Sequence, residues 1–468
     1  MKRDWFWYII GVAVTTILAS WLQLTTQQLL SVAGFSTILF GAIIFWKYRL
    51  AFAFFGISGL LATGLLDIEH LIEFAGLDII IFLIAMMTIV GFLEEKHFFE
   101  HLVDRMLLLT GPHAVRIMVV MMVAAACFAA LIDEVTSILF MTAAMLNLLE
   151  KGKLNPVPYV MMLIFTTNIG SSATVVGNPV GVVIAMRSGL TFMDFLRWAA
   201  PISLVVLVVA IGICLKMFAR EIAALKPVLE GRHGEQALKR MDQDDPIKRR
   251  DIAVSMWLFI AVVVCLVFHA HIEHLLGLHK NTMLLGIALI GAGFVLAFSG
   301  EKAQELVEKR VDWWTLAFFL MLFSSVGTLK LTGVTGVLAQ KLIALAGGSE
   351  PVLMTIFAWS SGALTAVMDN VLAVATFVPI ITDAASTGIN TFGLWWSTLF
   401  GSTLMGNLTL IGSTANIVAA GLIERRKLGT MSFGGWLKYG FAVGIPTLLI
   451  ANLLLLAQRP LFPATFGH

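Results

Sequence analysis

Two adjacent carboxylates, Asp133 and Glu134, stand in the middle of an otherwise apolar stretch, residues 118–149. Asp369, followed by Asn370, stands in a second such stretch, residues 352–382. Acids inside hydrophobic segments are costly in lipid and mark ion or solute pathways. Neutral oxygen donors accompany them. Thr136 follows the first acids, and Asn168, Ser171, Ser172, Thr174 and Asn178 interrupt residues 159–186. Asn407, Thr409, Ser413, Thr414 and Asn416 interrupt residues 394–423. Hydroxyl, amide and carboxylate oxygens suit a hard cation. A carboxylate in a low dielectric favours a neutral or cation-bound form, so it can exchange a proton for a cation. The nominated binding residues are Asp133, Glu134, Thr136, Asn168, Ser171, Thr174, Asn178, Asp369, Asn370, Asn407, Thr409, Ser413 and Asn416. A sodium ion would be held at Asp133, Asp369 and Asn370. The bland alternative is that single Ser, Thr and Asn residues glue helices together, and that each acid is simply hydrogen-bonded in place.

Elements that could position these residues follow from cost. A plain lipid-facing helix would leave Asp133 and Glu134 exposed to hydrocarbon. A re-entrant hairpin over 118–149 puts them at its tip, and one over 352–382 does the same for Asp369. Glycines and Pro179 break the two polar-rich segments, because glycine permits unusual dihedrals and proline lacks an N–H. A broken helix frees carbonyls for cations and N–H groups for anions.

Composition sets the solvent. Of 468 residues, 59% are hydrophobic and 13% charged, against about 25% charged in soluble domains. Mean hydropathy is +0.92. These values exclude an ordinary soluble enzyme, a disordered chain and a disulfide scaffold. Net charge of +2 gives no nucleic-acid signature. Cys127, Cys214 and Cys265 read as buried small hydrophobes. His101, His113, His269, His271, His274 and His279 fall at span ends and read as interfacial. No metal spacing, phosphate loop or catalytic constellation stands out, so the chain reads as a non-enzyme without a resident cofactor, beyond bound sodium or protons.

Basic clusters order the spans. The expected fold is an all-α polytopic membrane protein of about eleven transmembrane helices plus two re-entrant hairpins. Residues 1–219 form a first half and 252–468 a second. The polar stretch 220–251 links them on the cytoplasmic side, with the N-terminus, in the plasma (inner) membrane. Residues 94–116 read as an interfacial amphipathic helix. The halves share motifs. Ala130-Leu131-Ile132-Asp133-Glu134-Val135 matches Ala366-Val367-Met368-Asp369-Asn370-Val371, and Thr174-Val175-Val176-Gly177 matches Thr409-Leu410-Ile411-Gly412. The two offsets agree to one residue. The copies enter from opposite sides, so this is an inverted-topology repeat with two broken helices, a pattern of secondary transporters.

These motifs resemble a known family. Leu131-Ile132-Asp133-Glu134-Val135-Thr136 is similar to the L-D-N-V-T-T of the ArsB/NhaD permeases, within the ion transporter superfamily. Asn168 to Pro179 resembles their N-I-G-G-A-A-T-x-I-G-D-P-P, Met368-Asp369-Asn370-Val371 their second D-N-V, and Gly406 to Val418 their G-G-N-x-T-L-I-G-A-S-A-N-V-V. The resemblance implies a citrate transporter-like domain, a scaffold with a mobile transport part, a homodimer and elevator-type alternating access. Its members include sodium/proton antiporters, arsenite exporters and the pink-eyed dilution type. Three positions depart from the pattern. Glu134 stands where Asn is usual, Asn178 replaces the Asp before Pro179, and Gly181 lies near a usual Asn.

The leading expectation is a cation/proton antiporter, most simply for sodium, because the tips are acidic. Export of arsenite or another small oxyanion is an alternative. Transport of an organic anion or dicarboxylate is another, opposed by the acids at the tips. The expected partners are the bilayer, a small ion or solute and a second copy of the chain, with no nucleic acid.

Overall fold

The structure is a computed structural model, which describes residues 2–111, 113–149, 154–230, 246–464 and 466. Among the described residues every regular element is helical. Seven helices are long and apolar enough to cross a membrane, and Ile252–Val267 with His269–Leu276, bent by 60°, counts as an eighth if the pair is taken as one span. The chain is a multi-pass membrane protein. Its backbone satisfies its own hydrogen bonds within helices, as hydrocarbon demands.

Contacts divide the chain into two units interleaved in sequence. One comprises Met1–Ile81, Asp312–Ser402 and Leu455–His468, the other Phe82–Val311 and Thr403–Leu454. In the first, Thr26–Ile44 and Arg49–Ala62 pack together and against Trp313–Leu331. Trp313–Leu331 also meets Asn370–Ala385, the exit helix of the second helix–turn–helix. In the second unit, Ala114–Leu131 packs along Val157–Gly170, and Glu134–Leu149 packs against both Val157–Gly170 and Thr414–Arg425.

Both tips and both breaks fall where the polar residues predict. Ala114–Leu131 stops and Glu134–Leu149 starts after a gap of two residues, Ile132 and Asp133, and Glu350–Thr365 gives way to Asn370–Ala385. Val157–Gly170 ends in a turn, and a new helix starts at Pro179. Phe392–Leu404 passes through a short 3-10 turn before Thr414–Arg425 begins. Each restart has a polar N-cap: Asp133, Asn178, Asp369 and Ser413. Residues of this kind supply the acceptor that the first orphan N–H groups lack.

One close approach repeats between the halves. A Cβ added at Gly170 would overlap the Ala126 backbone, and one at Gly401 would overlap Ala358 O and Ser361. Glycine at these crossings lets two helix backbones touch, the small-residue packing that membrane helices use.

Two expectations change. Cys127 and Cys265 are exposed at their unit's surface, and only Cys214 is buried. A small side chain on the outer face of a membrane helix meets lipid as readily as core. His269 is fully buried rather than interfacial, because the chain bends there. Of the 220–251 linker, Ala219–Glu230 and the start of Pro246–Val267 are helical, and residues 231–245 lie outside the described residues. Helix Phe98–Thr110 occupies the segment expected to be amphipathic.

Gly170→Ala should destabilise the protein by about 1–3 kcal/mol, the range for overpacking. Gly212, which faces open space, is the control: Gly212→Ala should be neutral or slightly stabilising. Thermal unfolding of both variants in one detergent checks this.

Candidate ion- or solute-binding site

The second unit brings the first tip and both breaks together. Glu134, 2% exposed, sits in the first turn of Glu134–Leu149 and faces both breaks. Ser171 Oγ from the first break shares its proton between Glu134 Oε2 at 3.1 Å and Asn168 O at 2.9 Å, and Ser413 Oγ from the second donates to Glu134 Oε1 at 3.2 Å. Asn178 Nδ2 in turn donates to Ser171 Oγ at 2.8 Å. One carboxylate therefore joins elements 37 and 279 residues away in sequence.

Asp133 behaves differently. Its Oδ1 accepts from the N–H groups of Val135 and Thr136 at 2.7 and 3.0 Å, and its Oδ2 accepts from Thr136 Oγ1. All of these partners lie within three residues, so the carboxylate serves the helix start it caps. Thr136 is committed to the same turn, and Thr174 Oγ1 donates to Ala130 O. Across the repeat, Asp369 Oδ1 accepts from Val371 N at 2.9 Å.

A knot of amides lies beside Glu134. Asn168 Nδ2 donates to Asn407 Oδ1 at 2.8 Å and to Asn416 Oδ1 at 2.9 Å. Asn407 Nδ2 donates to Phe165 O, and Asn416 Nδ2 donates to Gly406 O and Thr409 O. The bonds to Gly406 O and Thr409 O satisfy carbonyls at the second break, and the bond to Phe165 O ties that break to helix Val157–Gly170. Asn168 Oδ1 stays buried with no hydrogen-bond partner among the described residues. It is an acceptor oxygen available to a cation or a donor solute.

Eleven of the nominated residues, Asp133, Glu134, Thr136, Asn168, Ser171, Thr174, Asn178, Asn407, Thr409, Ser413 and Asn416, thus belong to one unit, and Asp369 and Asn370 to the other. In that other unit the sequence reading missed Arg49. It is 5% exposed, with its guanidinium carbon 4.0 Å from the Trp46 ring centre and 5.2 Å from that of Phe318. Its Nη2 donates to Thr315 Oγ1 at 2.6 Å, and Thr315 Oγ1 donates to Asp312 Oδ2 at 2.5 Å. In sequence Arg49 looks like an ordinary loop cation beside Lys47. Two clasps were also missed. Ser203 Oγ lies 2.8 Å from Ser172 Oγ at the first break, and Trp436 Nε1 donates to Asn407 O at 2.9 Å at the second. Among the described residues no group of three or more His, Cys, Asp or Glu side chains is placed to hold a metal ion.

Known proteins agree with this architecture. A family model described as CitMHS, citrate transporter, matches residues 38–401. The chain belongs to the citrate transporter family. That membership lies within the ion transporter superfamily expected from the motifs. A Mycobacterium tuberculosis protein described as an uncharacterized transporter is 32% identical over 381 residues, covering 81% of this chain and 85% of the relative. The 46 kDa membrane protein of Mycobacterium leprae is 31% identical, with the same two coverages. Human P protein, the pink-eyed dilution relative, is 25% identical. The alignment covers 83% of this chain and 55% of P protein. The crystal structure of the Alcanivorax borkumensis YdaH transporter has the same fold, with TM-score 0.55 at 13% identity over 86% of this chain and 89% of that one. This citrate transporter family member is therefore a membrane transporter.

Asp133→Asn should keep the helix start, since Asn caps as well as Asp, whereas Asp133→Ala should cost about 0.5–2 kcal/mol. Asn168→Leu should cost roughly 1–3 kcal/mol, because it strips the donor from two buried amide oxygens. Thermal unfolding of the three variants in detergent measures all of this. Equal melting temperatures for Asp133→Asn and Asp133→Ala would remove the capping role.

Proposed function

We propose that the chain is a secondary active transporter coupled to cations, and that Glu134 carries the coupling ion, exchanging sodium for a proton. The carrying observation is the position of Glu134: a buried carboxylate whose two oxygens are held by hydroxyls from the two broken helices. Hydroxyls can rotate to donate to a bare carboxylate or to accept from a protonated one, and their oxygens can also ligate sodium. Binding an ion at Glu134 would therefore rearrange both breaks at once. Asn168 Oδ1 and the nearby amides of the same unit would supply further oxygen ligands. The motif resemblance supports elevator-type alternating access in a homodimer, and the basic clusters support a plasma (inner) membrane protein with the N-terminus and the 220–251 linker in the cytoplasm.

A second reading, transport of a carboxylate anion, is favoured by the family's description. The half-helix starts at Asn178–Pro179 and Ser413–Thr414 would offer N–H groups to such a solute. Glu134 opposes it electrostatically unless the anion arrives with a proton or a cation.

Proteoliposomes with a pH-sensitive dye separate the two. A sodium gradient should drive proton movement in the native protein, and Glu134→Gln should reduce that movement at least tenfold while the protein stays folded. Undiminished sodium-driven proton movement in Glu134→Gln would sink the leading reading. Uptake of radiolabelled citrate that survives Glu134→Gln, with no sodium-driven proton movement in the native protein, would establish the second.

A further inference from the structure

The corner between Ile252–Val267 and Thr282–Ser299 holds a buried group that the transport reading does not use. His269 is fully buried. Its Nδ1 lies 2.7 Å from Leu266 O, and its Nε2 lies 3.3 Å from Asn281 Oδ1. Leu266 O can only accept. Asn281 is fixed the other way round, because its Nδ2 donates to Ala185 O at 2.8 Å. Turning the amide over would set Oδ1 against that carbonyl. Both ring nitrogens therefore face acceptors. A neutral imidazole has one N–H and must leave a lone pair facing an oxygen, whereas an imidazolium donates on both sides.

The charge has a counterpart. Glu273 stands one helical turn on, on the same face of His269–Leu276. It is buried, with Oε1 accepting from Met283 N at 2.8 Å and Oε2 from Asn281 N at 3.1 Å. Both donors belong to the start of Thr282–Ser299, where N–H groups favour a carboxylate. Thr282–Ser299 itself has no titratable side chain. The charged residues of Pro246–Val267 are Lys248 to Asp251, which lie about 25 Å or more along the helix from His269. Asp194, on the short helix that packs against Pro246–Val267, is occupied by Thr191. His271, His274, His279 and Lys280 are exposed, and Arg187 follows Ala185 in the last turn of Pro179–Ser188.

We propose that His269 is a proton-binding site separate from the tips and breaks, and that its proton holds the second half of the first broken helix in place. The link runs from the imidazolium through Asn281 to Ala185, in the last turn of Pro179–Ser188. The other end of that ten-residue helix is capped by Asn178, which donates to Ser171 and so reaches Glu134. With the proton bound, His269 donates to Asn281 and the tether closes. As pH rises and the proton leaves, Nε2 repels Asn281 Oδ1 and the tether loosens. The site is independent of which solute is carried.

The test uses the full-length protein in bilayers with ring-labelled ¹⁵N histidine. At pH 6, the signals that His269→Gln removes should belong to an imidazolium protonated at both nitrogens. Loss of a neutral tautomer's signals instead would overturn the proposal. Gln also presents an amide nitrogen near the position of Nε2, so the variant should lose the part of the flux–pH profile that titrates with His269. A wild-type profile in folded His269→Gln would overturn it too. Asn281→Asp covers the case in which His269→Gln fails to fold. A carboxylate at 281 should move the His269 midpoint up by about one pH unit; an unmoved or lowered midpoint would overturn it.

Discussion

A helix broken inside hydrocarbon has no water to satisfy the backbone groups it frees. The chain answers this at each interruption with a side chain from the break itself or from a neighbour. Asp133, Asn178, Asp369 and Ser413 cap the restarting helices. Asn416 gathers the carbonyls of Gly406 and Thr409, and Trp436 takes that of Asn407. The close helix crossing at Gly170 keeps these groups within reach of one another. The binding chemistry is thus built from what a broken helix needs in order to exist, with a few oxygens left over.

That constraint separates two acids that sit side by side. Asp133 spends both oxygens on its own helix start, and its counterpart Asp369 likewise caps Asn370–Ala385. Glu134 carries one more methylene and begins the helix rather than capping it. It therefore reaches across to Ser171 and Ser413. Where the motif usually has Asn, this chain places an ionisable group at the meeting point of both breaks, which alters the charge of the site without altering its frame.

Much of this was legible in sequence because polar residues are conspicuous in apolar segments. The tips at Asp133 and Asp369 and the breaks before Pro179 and Thr414 stand out, and the helices restart at those positions. What sequence could not give is the direction in which a side chain points. Arg49 sits three residues after Trp46 in a basic turn, yet it folds inward over that ring. Ser203 and Trp436 look like ordinary span residues, and only packing brings them to the breaks. His269 reads as interfacial because it ends a span, but the 60° bend at that point buries it. The relative roles of Asp133 and Glu134 also depended on rotamers, which spacing does not encode.

The placement of the cysteines has a practical consequence. Cys214 is buried, while Cys127 and Cys265 lie on the outer faces of apolar helices. Thiols react with maleimides as thiolates, which hydrocarbon disfavours, so all three native positions should be sluggish towards water-soluble reagents. A single cysteine introduced beside a tip or break could then report whether water reaches it, in the otherwise unaltered protein.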